Sequence, residues 1–282
     1  MTRLKVSDIK DIASELNRYD NELVQKTGRT LRGIACHALD MEEGSSLSVI
    51  NSTTLAVVPI QSGQGIIRGF PGTVKEILGH IGFNAFVTGH TDVAGIAEAV
   101  EKNASVILMA DDQRFVALNI KSGHMSDNAE ATAKGFIAGL DLMVGGLAGQ
   151  KVFVIGCGPV GSYSVLAALH RGAELSVFDI RTEQSRFLAG HVKALTNRAI
   201  TIEKSLEHGL HNHRLLVDAG SAAGIIDETV VTPGTYIAAP GMPLGLTPEA
   251  LQKVSGRLLH DPLQLGTAVM ALGEIFAADK GR

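Results

Sequence analysis

Apolar and polar residues alternate along the chain with two different periods, and the change of period marks out the elements. Across residues 7–26 the apolar positions Ile9, Ile12, Leu16 and Leu23 recur near helical spacing. Ser7 is a candidate N-cap for that helix and Gly28 its stop. Three short apolar runs follow, at 56–60, 85–88 and 106–110, each ending in a loop that carries glycine or an acid. Residues 73–80 and 93–102 between them have helical character. Short β-rich runs alternating with helices predict βα units and a largely parallel sheet. A longer alanine-rich stretch, 128–142, predicts a helix, residues 147–150 a turn, and a new pattern opens at Lys151.

From Lys151 the order repeats: a β-branched strand to Gly156, a helix to about Arg171, and a strand over 174–179. Further strands are predicted at 200–203, 215–218, 235–239 and 257–260, with a closing helix over 266–278. The expected fold is α/β: a smaller N-terminal α/β domain, 1–147, with an N-terminal and a linking helix, followed by a doubly wound parallel-sheet domain, 148–282.

Composition narrows the function classes. With 282 residues, 45% hydrophobic and 19% charged, the chain can bury the cores of two modest domains. The net charge of −4 and the lack of a basic cluster argue against a nucleic-acid surface. Cys36 and Cys157 are too few for a disulfide framework and form no metal-spaced pair. The polar start of the chain does not resemble a signal peptide, and no apolar run approaches the ~20 residues that span a bilayer. A cytoplasmic enzyme without a membrane partner is expected, and a homodimer is the prior for its assembly.

The sharpest local signal is Gly156-Cys157-Gly158-Pro159-Val160-Gly161, a GxGxxG that follows a strand and opens a helix. Gly156 suits the sharp turn, Gly158 the close approach of a pyrophosphate, and Gly161 the packing of helix on sheet. Pro159 and Val160 begin the helix whose free amides and dipole face the phosphates. Asp179 ends the second strand 18 residues after Gly161, where a carboxylate takes both ribose hydroxyls and repels a 2′-phosphate. NAD is therefore expected over NADP on a Rossmann-type domain, a preference that Arg181 softens. Ser221, in the loop after the fourth strand, and Pro240, after the fifth, are further candidates at the same sheet edge.

In the first half, Val57-Val-Pro-Ile-Gln-Ser-Gly-Gln-Gly-Ile-Ile67, residues 82–88, and Val106-Ile-Leu-Met-Ala-Asp-Asp112 resemble the PylD family of pyrrolysine-forming dehydrogenases. Asn119, Asn128, Pro240-Gly241 and residues 262–268 extend the resemblance. A longer connection from Leu39 to Leu55 and the extra histidines 124, 208, 211 and 213 depart from it. The resemblance implies an amino-acid conjugate as substrate: lysine acylated on its ε-nitrogen by 3-methylornithine. NAD⁺ oxidises the terminal ornithine amine, ammonia is lost, and the resulting aldehyde condenses with the α-amine to close a pyrroline ring.

That chemistry needs a neutral amine, a fixed carbon and groups that hold ammonium and carboxylate ends. Asp111 is the candidate ammonium anchor or proton acceptor, against the plain reading that the Asp111-Asp112 pair caps a helix. Ser62, Gly63 and Gly65 form a turn able to offer a hydroxyl and amides to the substrate. Asn128 is either a substrate ligand or an N-cap. The N-terminal helix either covers substrate or packs on its domain. His208, His211 and His213 read as a solvated polar loop rather than a metal site. Two other functions stay open: a dehydrogenase of another small amino or hydroxy acid, and a non-catalytic NAD(H) sensor.

Overall fold

The computed structural model describes residues 3–276, so the last two positions of the expected closing helix, 277 and 278, lie outside the described residues. Backbone contacts divide the chain into two compact units. The first takes the chain to Val24, Arg29–Gly135 and the chain from Pro262; the second takes Gln25–Gly28 and Phe136–Asp261.

The first unit begins with helices α1 (Val6–Ile9), α2 (Ile12–Thr27, whose last turn is counted with the second unit), α3 (Leu31–Ala38) and α4 (Leu47–Ser52). The expected single helix over 7–26 is thus two, with its start at Val6 and its stop before Gly28, whose φ of +73° needs a glycine. Ile9, Ile12, Leu16 and Leu23 are all buried, which is the packing reading of that apolar face. Helix α4 lies within the connection from Leu39 to Leu55, and α3 ends just before it. Thr30 caps α3 by accepting from the Gly33 amide at 3.2 Å.

The first sheet follows: β1 (Thr54–Pro59), α5 (Phe70–His80), β2 (Asn84–Val87), α6 (Asp92–Glu101), β3 (Val106–Ala110), β4 (Phe115–Asn119), β5 (Met125–Asp127) and α7 (Asn128–Val144). Its strand order is β2-β1-β3-β4-β5. β1, β2 and β3 are parallel as expected, whereas β4 and β5 turn back as an antiparallel ribbon that the sequence reading left out. β2 and β3 flank β1 on opposite sides, so right-handed crossovers set α5 and α6 on opposite faces. Both faces being covered explains why β1 reads as an unbroken apolar run. Ala56 and Val58 join Ala99, Ala104 and Ile107 in one core.

The second unit carries β6 (Lys151–Ile155), α8 (Pro159–His170), β7 (Glu174–Phe178), α9 (Thr182–Thr196), β8 (Thr201–Ile202), α10 (Leu206–Asn212), β9 (Leu215–Asp218), β10 (Tyr236–Ala238), α11 (Pro248–Val254) and β11 (Leu258–Leu259). All six strands are parallel, in the order β11-β10-β9-β6-β7-β8. Numbered from β6, this is the 3-2-1-4-5-6 order of a Rossmann fold, with its switch point between β6 and β9. Phe153, Ile155, Leu216, Ile237 and Leu246 lie in its main core.

The last helix, α12 (Gln264–Phe276), corrects the expected domain limits. It belongs to the first unit, where it packs on α3, α5 and β4. A β-carbon on Gly135 of α7 would stand 3.3 Å from Leu265 and 3.2 Å from Val269 of α12. Its residues 265–272 are buried all round, so no amphipathic stripe in the sequence tells which sheet it covers. No helix among the described residues is long and apolar enough to cross a membrane.

Candidate active site

The glycine loop of the second unit has the close contacts its sequence demands. Gly156 leaves β6 at φ +91°, its amide donating to the Phe178 carbonyl at 2.8 Å. A β-carbon there would lie 2.9 Å from the Ala219 carbonyl oxygen, and one on Gly161 would lie 1.9 Å from the Gly156 carbonyl oxygen. Gly158 differs: its backbone is extended and nothing lies within 4 Å of where a β-carbon would stand. Open space thus sits directly over the loop at the N-cap of α8. Pro159 has no N–H to offer, so the amides of Val160 and Gly161 are the first-turn donors without an intrahelical partner. Free amides under open space at a helix N-terminus are what a pyrophosphate needs.

Asp179 follows β7 and is held in place from both sides. Oδ2 accepts from the Cys157 amide at 2.8 Å and Oδ1 from the Arg181 amide at 2.9 Å. Ser185 Oγ receives the Asp179 amide at 3.0 Å. The Arg181 guanidinium is well exposed and stands 3.9 Å from Oδ1. Each carboxylate oxygen keeps a second lone pair for a ribose hydroxyl. Cys157 points inward instead: burial and the Asp179 charge push its thiol up to about 11, against a hydrogen bond from Ser185. It is no nucleophile at neutral pH.

Asp218, at the end of β9, ties the Ser221 and Pro240 loops together. Its buried carboxylate accepts from the Gly220 amide at 3.1 Å and the Gly245 amide at 3.0 Å. Gly241 donates to the Asp218 carbonyl at 2.8 Å, and a β-carbon on Gly241 would lie 2.4 Å from the Gly220 carbonyl oxygen. Burial pushes the Asp218 carboxyl above its ordinary range, opposed by those two amides and by His260. Ser221 is exposed and Pro240 half-buried on this edge. The residues present therefore fit a nicotinamide dinucleotide.

In the first unit the strand ends gather the candidate substrate residues. The loop after β1 is fastened by two carboxylates: Gln61 N–H to Asp92 Oδ1 at 2.8 Å and Gln64 N–H to Asp112 Oδ2 at 2.6 Å. Arg3 reaches the same place, pairing with Asp112 and donating to the Gly65 carbonyl at 2.7 Å. Gly63, at φ +70°, lies so close to Asp112 that a β-carbon would strike its carboxylate. Ser62 is exposed beside it.

Asp111 and Asp112 do not cap a helix; they form the turn of the β3–β4 hairpin. Asp111 Oδ1 accepts the amides of Gln113 and Arg114, both at 2.8 Å. Those amides, from Arg114 first and then Gln113, hold its carboxyl below the ordinary range. Asp111 is thus a stable anion, suited to holding an ammonium and weak as a proton acceptor. Arg114 reaches from the same turn to Asp127, with Nε at 3.0 Å and Nη2 at 2.8 Å from Oδ2. Asp127 is the true cap of α7, accepting the Ala129 amide at 2.8 Å, so the N-cap reading of Asn128 falls. Asn128 stands one residue inside the helix, its Oδ1 3.4 Å from Thr132 Oγ1. Gly266 of α12 packs there: a β-carbon on it would lie 2.5 Å from Asn128 Oδ1. Ser62, Gly63, Gly65, Asp111 and Asn128 thus share one sheet edge, linked by Asp112 and the Arg114–Asp127 pair.

The histidine reading needs correction. Residues 206–212 are helix α10, not a loop, and His213 is buried. His208 Nδ1 lies 2.6 Å from Glu203 Oε2, while His213 Nε2 lies 3.1 Å from Ser176 Oγ and its ring stacks on Phe153. Ser205, three residues before His208, was the available cap signal; its hydroxyl accepts the His208 amide. Among the described residues no group of three His, Cys, Asp or Glu is placed to hold a metal. Arg3 and Asp92 carry no sequence signal for their places here, since their partners lie far along the chain; Asp127 had a local one, the Ala129 amide two residues on, and Asp112 stood in the sequence only as the second acid of the Asp111-Asp112 pair.

The model of the N-terminal domain of the pyrrolysine biosynthesis protein PylD matches residues 8–126. Over 275 residues the chain is 30% identical to the pyrrolysine synthase of Methanosarcina barkeri, covering 96% of this chain and 97% of that protein. It is 28% identical over 279 residues to that of Methanosarcina acetivorans, covering 96% and 98%. Among solved structures, quinate dehydrogenase from Corynebacterium glutamicum in complex with NAD matches with a TM-score of 0.54 at 16% identity, over 80% of this chain and 94% of that one. That last likeness is one of fold.

Proposed function

The chain belongs to the pyrrolysine synthase (PylD) family, and on that premise we propose that it oxidises the terminal amine of lysine-Nε-3-methylornithine with NAD⁺. The observation that carries the proposal is the match along nearly the whole chain to pyrrolysine synthases, joined to an open dinucleotide cradle with Asp179 fixed beside it. Gly156, Gly158, Val160 and Gly161 would hold the pyrophosphate, Asp179 the ribose, and Ser221 and Pro240 the far end. A nicotinamide, when bound, supplies the acceptor for a hydride from the carbon that bears the amine. Asp179 favours NAD, because its carboxylate repels a 2′-phosphate.

The first unit's task is to hold the conjugate. Asp111 offers its free carboxylate oxygen to an ammonium group, and the low pKa of that carboxyl keeps it charged. The Ser62 hydroxyl and the amides of the loop through Gly63 and Gly65 suit a carboxylate or amide of the lysine end. Asn128, with both a donor and an acceptor, suits the conjugate's amide linkage. The reacting ammonium loses a proton, then the carbon loses hydride, and water releases ammonium and leaves an aldehyde. Condensation of the α-amine with that aldehyde expels water and closes the ring.

NADH absorbance followed with the conjugate, with free lysine and with free ornithine tests this reading. Turnover of the conjugate alone is expected. Hydride transfer from a simple amino or hydroxy acid but not from the conjugate overturns it.

A further inference from the structure

His260 follows β11 at the same edge of the second sheet as the cradle, and no step above uses it. β11 runs parallel to β10, with Ala238 opposite Leu259, and the Ala239 amide donates to the Leu259 carbonyl at 2.8 Å. At the next residue the imidazole turns back, bringing Nδ1 2.7 Å from the Ala239 carbonyl oxygen. A carbonyl only accepts, so Nδ1 carries the proton of that bond, and Nε2 is the nitrogen left to take up another. Nε2 has no hydrogen-bond partner among the described residues. The buried carboxylate of Asp218, at the end of β9, lies within electrostatic reach of the His260 ring.

Position assigns the ring to one end of the cofactor. A dinucleotide on a doubly wound sheet crosses the carboxyl edge at the switch point, its two halves on opposite sides. Asp179, after β7, marks the adenosine side, which leaves β9, β10 and β11 for the nicotinamide side. The carbon that loses hydride has to lie against the nicotinamide, so its nitrogen comes within the same neighbourhood.

Resting on the reaction proposed above, we propose that His260 Nε2 takes the proton from the substrate ammonium and so frees the electron pair that expels hydride. One N–H bond of the ammonium breaks with its pair left on nitrogen, and an Nε2–H bond forms, giving imidazolium. Hydride loss then makes an iminium, water converts it to aldehyde and ammonium, and the imidazolium returns its proton to solvent.

His260→Asn tests this, because the asparagine amide keeps a donor for the Ala239 carbonyl while Nε2 is removed. NADH affinity, read by fluorescence, is expected to stay at the wild-type value. Single-turnover NADH formation from the conjugate is expected to fall about 10²- to 10⁴-fold, the range of a lost general base. Added imidazole, or a pH high enough to deprotonate the free amine, is expected to restore part of the rate. Independently of turnover, histidine nitrogen NMR is expected to show His260 as the Nδ1–H form, becoming doubly protonated when the conjugate joins the enzyme–NADH complex. A ring that stays singly protonated there, or a His260→Asn rate equal to wild type, overturns the acceptor role alone. If the wild-type protein forms no NADH from the conjugate, the proposed reaction fails and the acceptor role with it.

Discussion

Two glycines three residues apart in one loop give opposite expectations, and alanine at each separates folding from cofactor binding. At Gly161 a methyl group would stand 1.9 Å from the Gly156 carbonyl oxygen, where ordinary contact begins at 3.4 Å. The shortfall, 3.4 − 1.9, asks helix and loop to part by about 1.5 Å, and both partners are backbone. Overpacking of that kind costs roughly 1–3 kcal/mol. Alanine's helix propensity returns up to about 1 kcal/mol. A net loss of about 1–2 kcal/mol is expected for Gly161→Ala, a fall of several degrees in the melting of the second unit. At Gly158 the methyl group meets nothing within 4 Å and the backbone is extended, so the stability of Gly158→Ala stays near wild type. The methyl group instead occupies the space assigned to the pyrophosphate. Losing one or two charge-assisted amide bonds, at roughly 1.5–3 kcal/mol each, weakens NADH binding by at least about 10-fold. Urea unfolding and NADH fluorescence titration, run on both variants, read the two effects apart. A Gly158→Ala protein that binds NADH as wild type does would refute the cradle. A fully stable Gly161→Ala protein would refute the close approach.

Other residues give further checks. Asp179→Asn keeps an acceptor for the Cys157 amide and removes the charge, so NADH binding should weaken about tenfold while the preference over NADPH narrows, as parallel titrations would read. Asp111→Asn retains the turn's acceptor and loses the anion; KM for the conjugate should rise about tenfold or more with melting unchanged, and an unaltered KM removes its anchoring role. Glu203 is the pH-sensitive stabiliser of the second unit. Burial raises its carboxyl, but the bonds from His208 and Ser176 prevail and leave it below the ordinary value of 4.5. A folded pKa below the unfolded one gives stability that is present above pH ~4.5 and is lost as pH falls through the folded value. The stability gap between wild type and Glu203→Gln, on the order of 2 kcal/mol near neutrality, should therefore close under acid; a gap that widens under acid contradicts the pairing.

The parts of the fold that were legible in the sequence are those with a local cause. Gly156, Gly158, Gly161 and Asp179 sit within one βαβ unit whose turns and strand ends fix their positions, and the strands from Lys151 to Leu259 fall on short apolar runs. Hidden features depend on partners distant in the chain. The apolar run Phe115-Val-Ala-Leu118 was a usable strand signal, but its alternation of buried and half-buried positions exists only in the folded sheet, so no period in the sequence marked it. Assignment of α12 to the first unit rests on shape at Gly135 and Gly266, which no local pattern carries. Asp112 looked equivalent to Asp111, yet Asp112 binds the 61–65 loop and Arg3 while Asp111 binds its own turn. Glu203 and His213 meet around Ser176 only after three elements pack.

The central claim is tested most directly by the products of one reaction: purified protein, NAD⁺ and lysine-Nε-3-methylornithine. Equal amounts of NADH, ammonia and a pyrroline-bearing amino acid, identified by mass spectrometry, are the predicted result. NADH without the ring product, or no NADH while the protein binds NAD, contradicts the account.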